Sequence, residues 1–158
     1  MIEFPRNLTD ELFDRQVRSA AVFRWEYAPI SGNKTKRKNC IIIGHIRREI
    51  EGENVQDFYF FYTTKETQKY KENSRFVGSG VFIPASTFDF FSVDTVIQCS
   101  DLNHALGNVL RIEFSKTNFK WQGNLPENIW SKVISTAYST KLLTPQEKDI
   151  IRDCLIPK

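Results

Sequence analysis

The chain has 158 residues, 41% of them hydrophobic and 26% charged, a balance that suits one folded domain and excludes a disordered chain. A formal net charge of +3 permits a nucleic-acid partner without requiring one, so where the cations lie says more than their sum. No apolar run is long enough to cross a membrane, and the start Met1-Ile2-Glu3-Phe4-Pro5-Arg6 lacks the basic and apolar segments of a signal peptide, so a cytoplasmic protein with no membrane partner is expected.

Along the chain, Asn7-Leu8-Thr9-Asp10 followed by Leu12, Phe13 and Val17 reads as a short amphipathic helix with capping residues at its start. From Ala21 to Tyr27, Val22, Phe23, Trp25 and Tyr27 are interleaved with Arg24 and Glu26 as in a half-buried strand, which Pro29 is expected to stop. Ser31-Gly32-Asn33 is a turn signal, and Lys34, Lys36, Arg37 and Lys38 follow it as the densest positive patch, expected in a loop that leads into a strand. Cys40-Ile41-Ile42-Ile43 and Phe58-Tyr59-Phe60-Phe61-Tyr62-Thr63-Thr64 are β-branched and aromatic runs that should pair as an antiparallel hairpin across the turn-prone Gly52 region.

A polar stretch over residues 65–75 then leads to Gly78-Ser79-Gly80 and the strand Val81-Phe82-Ile83, which Pro84 ends or confines to an edge because it lacks an amide donor. Asp94-Thr95-Val96-Ile97-Gln98-Cys99 and Val109-Leu110-Arg111-Ile112-Glu113-Phe114 complete the expected strands. Asn124-Leu125-Pro126-Glu127 and Thr144-Pro145-Gln146-Glu147 read as two capping boxes, each opening a helix. The expectation is a mainly β, α+β fold in one domain over residues 1–158. Residues 1–20 form a helical extension, 21–122 a small antiparallel barrel of meander connections, and 123–158 the closing helices.

Chemistry is sparse. GxGxxG, P-loop, HExxH and GxSxG patterns are all missing. His45 and His104 have no partner at metal or triad spacing. Cys40, Cys99 and Cys154 are widely spaced in apolar surroundings, so they read as reduced core residues, with no metal and no cofactor expected. The 13 Phe, 5 Tyr and 3 Trp fit both a β-core and stacking surfaces for bases.

Several pieces occur together in a familiar order. Lys36-Arg37-Lys38-Asn39 enters an aliphatic run, Phe60-Phe61-Tyr62-Thr63-Thr64-Lys65 is a strand ending in Thr, and Phe82-Ile83-Pro84, Phe90 and Asp94-Thr95-Val96-Ile97 precede Gly123-Asn124-Leu125-Pro126-Glu127. Over residues 21–138 this order resembles the MazF/PemK family of toxin endoribonucleases. The resemblance implies an SH3-like barrel that cleaves single-stranded RNA without metal, using the substrate's own 2′-hydroxyl. It also implies a homodimer and a separate antitoxin protein.

Carried over by position, Lys38 stands where the family has Arg and Thr63 where it has Ser or Thr, with Arg37 and Thr64 one residue away. RNA would then cross Lys34, Lys36 and Lys65 and stack bases on Tyr62 or Tyr70. The chain departs from the family pattern in lacking the Arg-Pro pair and the N-terminal glycines. A second expectation is therefore a catalytically silent barrel that binds nucleic acid or protein in a mobile-element or defence system.

Overall fold

A computed structural model describes residues 4–156, with side chains from Leu8 onward. In chain order the elements are α1 (Phe4–Gln16), β1 (Ala21–Ile30), β2 (Lys34–Ile50), β3 (Glu53–Thr64), α2 (Thr67–Glu72), β4 (Gly80–Ile83), β5 (Thr95–Gln98), β6 (Asn103–Leu106), α3 (Gly107–Ser115), β7 (Phe119–Asn124), α4 (Glu127–Ser139) and α5 (Pro145–Leu155). The fold is α+β. Its seven-stranded antiparallel sheet has the order β4-β5-β3-β2-β1-β7, with β6 also paired to β3. Among the described residues no ladder joins β4 to β7, so the sheet is open.

Strand alternation sorts the apolar runs onto two faces. Cys40 and Ile42 of β2 and Phe58, Phe60 and Tyr62 of β3 bury one face against Phe13 and Val17 of the N-terminal segment and Leu110 of α3. Ile41, Ile43, Tyr59 and Phe61 bury the other against Val133 and Ala137 of α4 and Ile151 and Cys154 of α5. A sheet covered on both faces explains why these strands read as continuous hydrophobic runs. Each fully buried Phe or Ile here stabilises by about 1.5–3 kcal/mol through its removal from water. Rings add geometry: Phe23 stacks on Phe119 at 4.3 Å and Phe13 meets Phe58 edge-on at 5.6 Å.

One glycine sets the seat of the last helix. Between Ile42 and Gly44 the β2–β3 register slips by one residue, a bulge. There Gly44 approaches α5 so closely that a Cβ would lie 2.7 Å from the Cys154 carbonyl oxygen.

Several expectations change. The basic run over residues 34–38 is strand rather than loop, because β2 begins at Lys34 and pairs with β1 from Ile30↔Lys34 onward. β1 runs through Pro29 to Ile30. Its pairing with β7 ends at Trp25↔Phe119, so Pro29 sits where that edge needs no amide donor. α1 starts before Asn7, with Pro5 in its first turn, so Asn7 and Asp10 lie inside the helix rather than at its cap.

The expected strand at 109–114 is helical α3, and its presence breaks the expected meander. Leu110 and Phe114, four apart, face the core, while Val109 and Ile112 are exposed. Asn124 ends β7 and accepts from Trp121 Nε1, so Pro126 takes the N-cap of α4 without a side-chain bond. The Thr144–Glu147 capping box of α5 is present with both bonds. Cys40, Cys99 and Cys154 are all buried in the core. No helix among the described residues is long and apolar enough to cross a membrane.

Candidate functional site

Residues of β1, β2, β3, β5 and β7 line, with a covering loop, a cavity of about 690 Å³. β1 contributes Arg24; β2 contributes Lys36, Arg37, Lys38 and Asn39; β3 contributes Thr63 and Thr64, with Lys65 and Glu66 following. Phe90 and Phe91 come from the loop after β4, Gln98 from β5 and Gln122 from β7. Five cationic side chains and one carboxylate therefore share one cleft, which favours a polyanionic ligand.

Register decides which groups share a face. Asn39 lies opposite Arg24, and β2 meets β3 at Cys40↔Tyr62. Continuing that antiparallel register places Asn39 beside Thr63 and Lys38 beside Thr64. By alternation Arg24, Arg37, Asn39 and Thr63 belong to one face, and Lys36, Lys38 and Thr64 to the other. The Lys38 ammonium donates to the backbone carbonyl of Thr63 at 3.5 Å, a long bond. Burial, followed by repulsion from Lys36, holds the Lys38 ammonium below its ordinary pKa.

The hydroxyls differ in their commitments. Thr63 is buried, whereas Thr64 Oγ1 accepts the Glu66 amide at 3.1 Å and closes a local turn. Arg24 Nε lies buried, 3.0 Å from a Glu26 carboxylate oxygen but without hydrogen-bond alignment, so that contact is Coulombic. Lys34 is exposed at the start of β2 and is not among the residues lining the cleft.

Two expected base-stacking rings are removed by burial. Tyr62 is 7% exposed and donates its hydroxyl to the Pro29 carbonyl at 3.0 Å. Tyr70 is 2% exposed, with its hydroxyl 2.9 Å from Ser100 Oγ and accepting Gln98 Nε2 at 3.1 Å. Both rings lie inside the fold and offer no free face. The aromatic side chain that does border the cleft at half burial is Phe90.

Arg24, Gln98, Gln122 and Phe90 went unread in the sequence as site residues. Arg24 had a partial signal, a cation inside an alternating apolar strand. The two Gln residues had none, because only strand register brings them there.

A second polar cluster lies lower on β3. Asp57 is the only fully buried charged side chain among the described residues. It accepts Arg48 Nε at 2.6 Å, the Tyr59 hydroxyl at 3.0 Å and His104 Nδ1 at 2.9 Å. Arg48 Nη2 also donates to the Tyr59 hydroxyl at 2.5 Å, and the Tyr59 and His104 rings stack at 5.2 Å. His104 therefore has a carboxylate partner, 47 residues away, that no sequence spacing displays. His45 Nε2 lies 3.4 Å from Gln56 Nε2, and its ring packs 5.0 Å from Phe58.

No family model matches the chain, and no curated protein matches it either.

Proposed function

We propose that the chain is a metal-independent endoribonuclease that binds single-stranded RNA in the basic cleft and acts as the toxin of a toxin–antitoxin pair. The observation that carries this is that Arg37, Lys38 and Thr63, which the MazF/PemK resemblance singles out, line one cavity together with Arg24. In the reaction the substrate's 2′-oxygen attacks the adjacent phosphorus and the bond to the 5′-oxygen breaks. The 2′-hydroxyl proton passes to a base and the leaving oxygen takes a proton. The products are a 2′,3′-cyclic phosphate and a 5′-hydroxyl.

Cations and hydroxyl donors set on the phosphorane supply binding that the ground state lacks. Arg24 or Arg37, on the face of Thr63, would stabilise that charge. Lys38 suits proton transfer better than an ordinary lysine, because its lowered pKa leaves more neutral amine near neutral pH. The scaffold fits an opened SH3-like barrel, since one edge of β3 is shared by β6 and β5 and the sheet branches there. The same reading makes the cleft the contact for an acidic antitoxin segment and the protein a cytoplasmic homodimer.

A catalytically silent, RNA-binding version of the cleft is the second reading. It is favoured by the makeup of the lining, where among the described residues no histidine stands beside the cations. Incubation of purified protein with mixed RNA in EDTA separates the two. Discrete cuts ending in cyclic phosphate and 5′-hydroxyl, lost in Arg37→Ala, Lys38→Ala and Thr63→Ala, support cleavage. RNA left intact at high protein concentration refutes it, and salt-sensitive binding without cutting selects the silent form.

A further inference from the structure

We propose that Phe90 is the stacking platform for one unpaired base of the RNA; this rests on reading the cleft as an RNA site. A cleft that is cationic at the strand ends and aromatic under its covering loop suits a nucleotide, whose base and phosphate project from different positions of the sugar. Of the two rings that border the cavity, Phe91 is 2% exposed and belongs to the core, while Phe90 is half-buried.

Phe90 is held in place from several sides. Phe88 lies parallel to it at 5.1 Å and 10°, covering one face, and Phe91 meets it at 4.8 Å and 81°. Its edge rests on β7 at Gly123, where a Cβ would come within 2.9 Å of Phe90 Cε1 and push the ring from this position. A ring fixed in this way loses little rotamer freedom when a base settles on it. Stacking on it is indifferent to base identity, because every base has a π-face.

The test is titration of the purified full chain, at fixed salt, into a uridine octamer carrying one 2-aminopurine. The expected result is fluorescence quenching on binding, retained in Phe90→Tyr and lost in Phe90→Leu, with binding about tenfold weaker in the Leu variant. Lys38→Ala is expected to weaken binding while leaving the quenching at saturation unchanged. A single abasic position scanned along the octamer, against the unaltered protein, is expected to weaken binding about tenfold at one register. This arm holds even if Phe90→Leu does not fold.

Binding with equal quenching in Phe90→Leu, or with no abasic position that matters, overturns the platform and leaves the RNA cleft standing. No RNA binding by the unaltered protein overturns the cleft and the platform together.

Discussion

Replacing Asp57 with Ala should be the most destabilising single change to a polar group in this fold. The carboxylate is fully buried and receives Arg48 Nε at 2.6 Å, the Tyr59 hydroxyl at 3.0 Å and His104 Nδ1 at 2.9 Å. Hydrogen bonds to a charged group contribute about 1.5–3 kcal/mol each, and breaking a buried ion pair costs about 3–5 kcal/mol because the partner is left uncompensated.

Those figures need discounting here. The side chains of Arg48 and His104 are 43% and 59% exposed, so both recover water once the carboxylate is gone. Tyr59 keeps its bond from Arg48 Nη2. The loss therefore falls to about 2–4 kcal/mol, mostly from the missing acceptor beneath Arg48 and Tyr59. His104→Ala removes only the most exposed partner and should cost at most about 1 kcal/mol. Urea unfolding at neutral pH measures both. A loss in Asp57→Ala below about 1 kcal/mol, or equal losses in the two variants, would refute the assignment of Asp57 as the centre of the cluster.

Gly44→Ala places a methyl 2.7 Å from the Cys154 carbonyl, so α5 must shift, and urea unfolding should show a loss of about 1–3 kcal/mol. Tyr62→Phe should leave RNA affinity unchanged in a filter-binding assay, because the ring is buried and its hydroxyl serves only the Pro29 carbonyl. Burial holds the folded-state pKa of Lys38 below the ordinary lysine value, so the unfolded chain binds more protons between the two values. Its contribution to stability must rise with pH across that window, and the difference in stability between the unaltered protein and Lys38→Met, followed from neutral to alkaline pH, should carry that slope.

The central hairpin was legible because Cys40–Ile43 and Phe58–Tyr62 are apolar at every position, as strands buried on both faces must be. The cations of the cleft were legible as a run, and the turn at Gly32 and the Thr144 capping box announced themselves locally. What escaped was set by partners far along the chain. β6 and β7 are short and largely polar, so neither shows a strand period. α3 carries β-branched Val109 and Ile112 on its exposed side, which disguised the Leu110–Phe114 spacing that buries it. Tyr62 and Tyr70 could be placed on the surface by composition alone, and only the packing of β1 against β3 and of α2 against β5 puts them inside. The Asp57–His104 pair and the presence of Gln98 in the same cleft as Arg37 depend on which strands flank β3, a choice that no local pattern encodes.

The salt dependence of single-stranded RNA binding tests most directly the claim that the cleft receives the RNA backbone. For single strands the log–log slope falls by about 0.7 for each phosphate contact removed. Lys38→Ala and Arg37→Ala should each lower the slope by about that amount, while Lys34→Ala, outside the cleft, should leave it unchanged. Equal slopes in all three variants, or a change only in Lys34→Ala, would contradict the account.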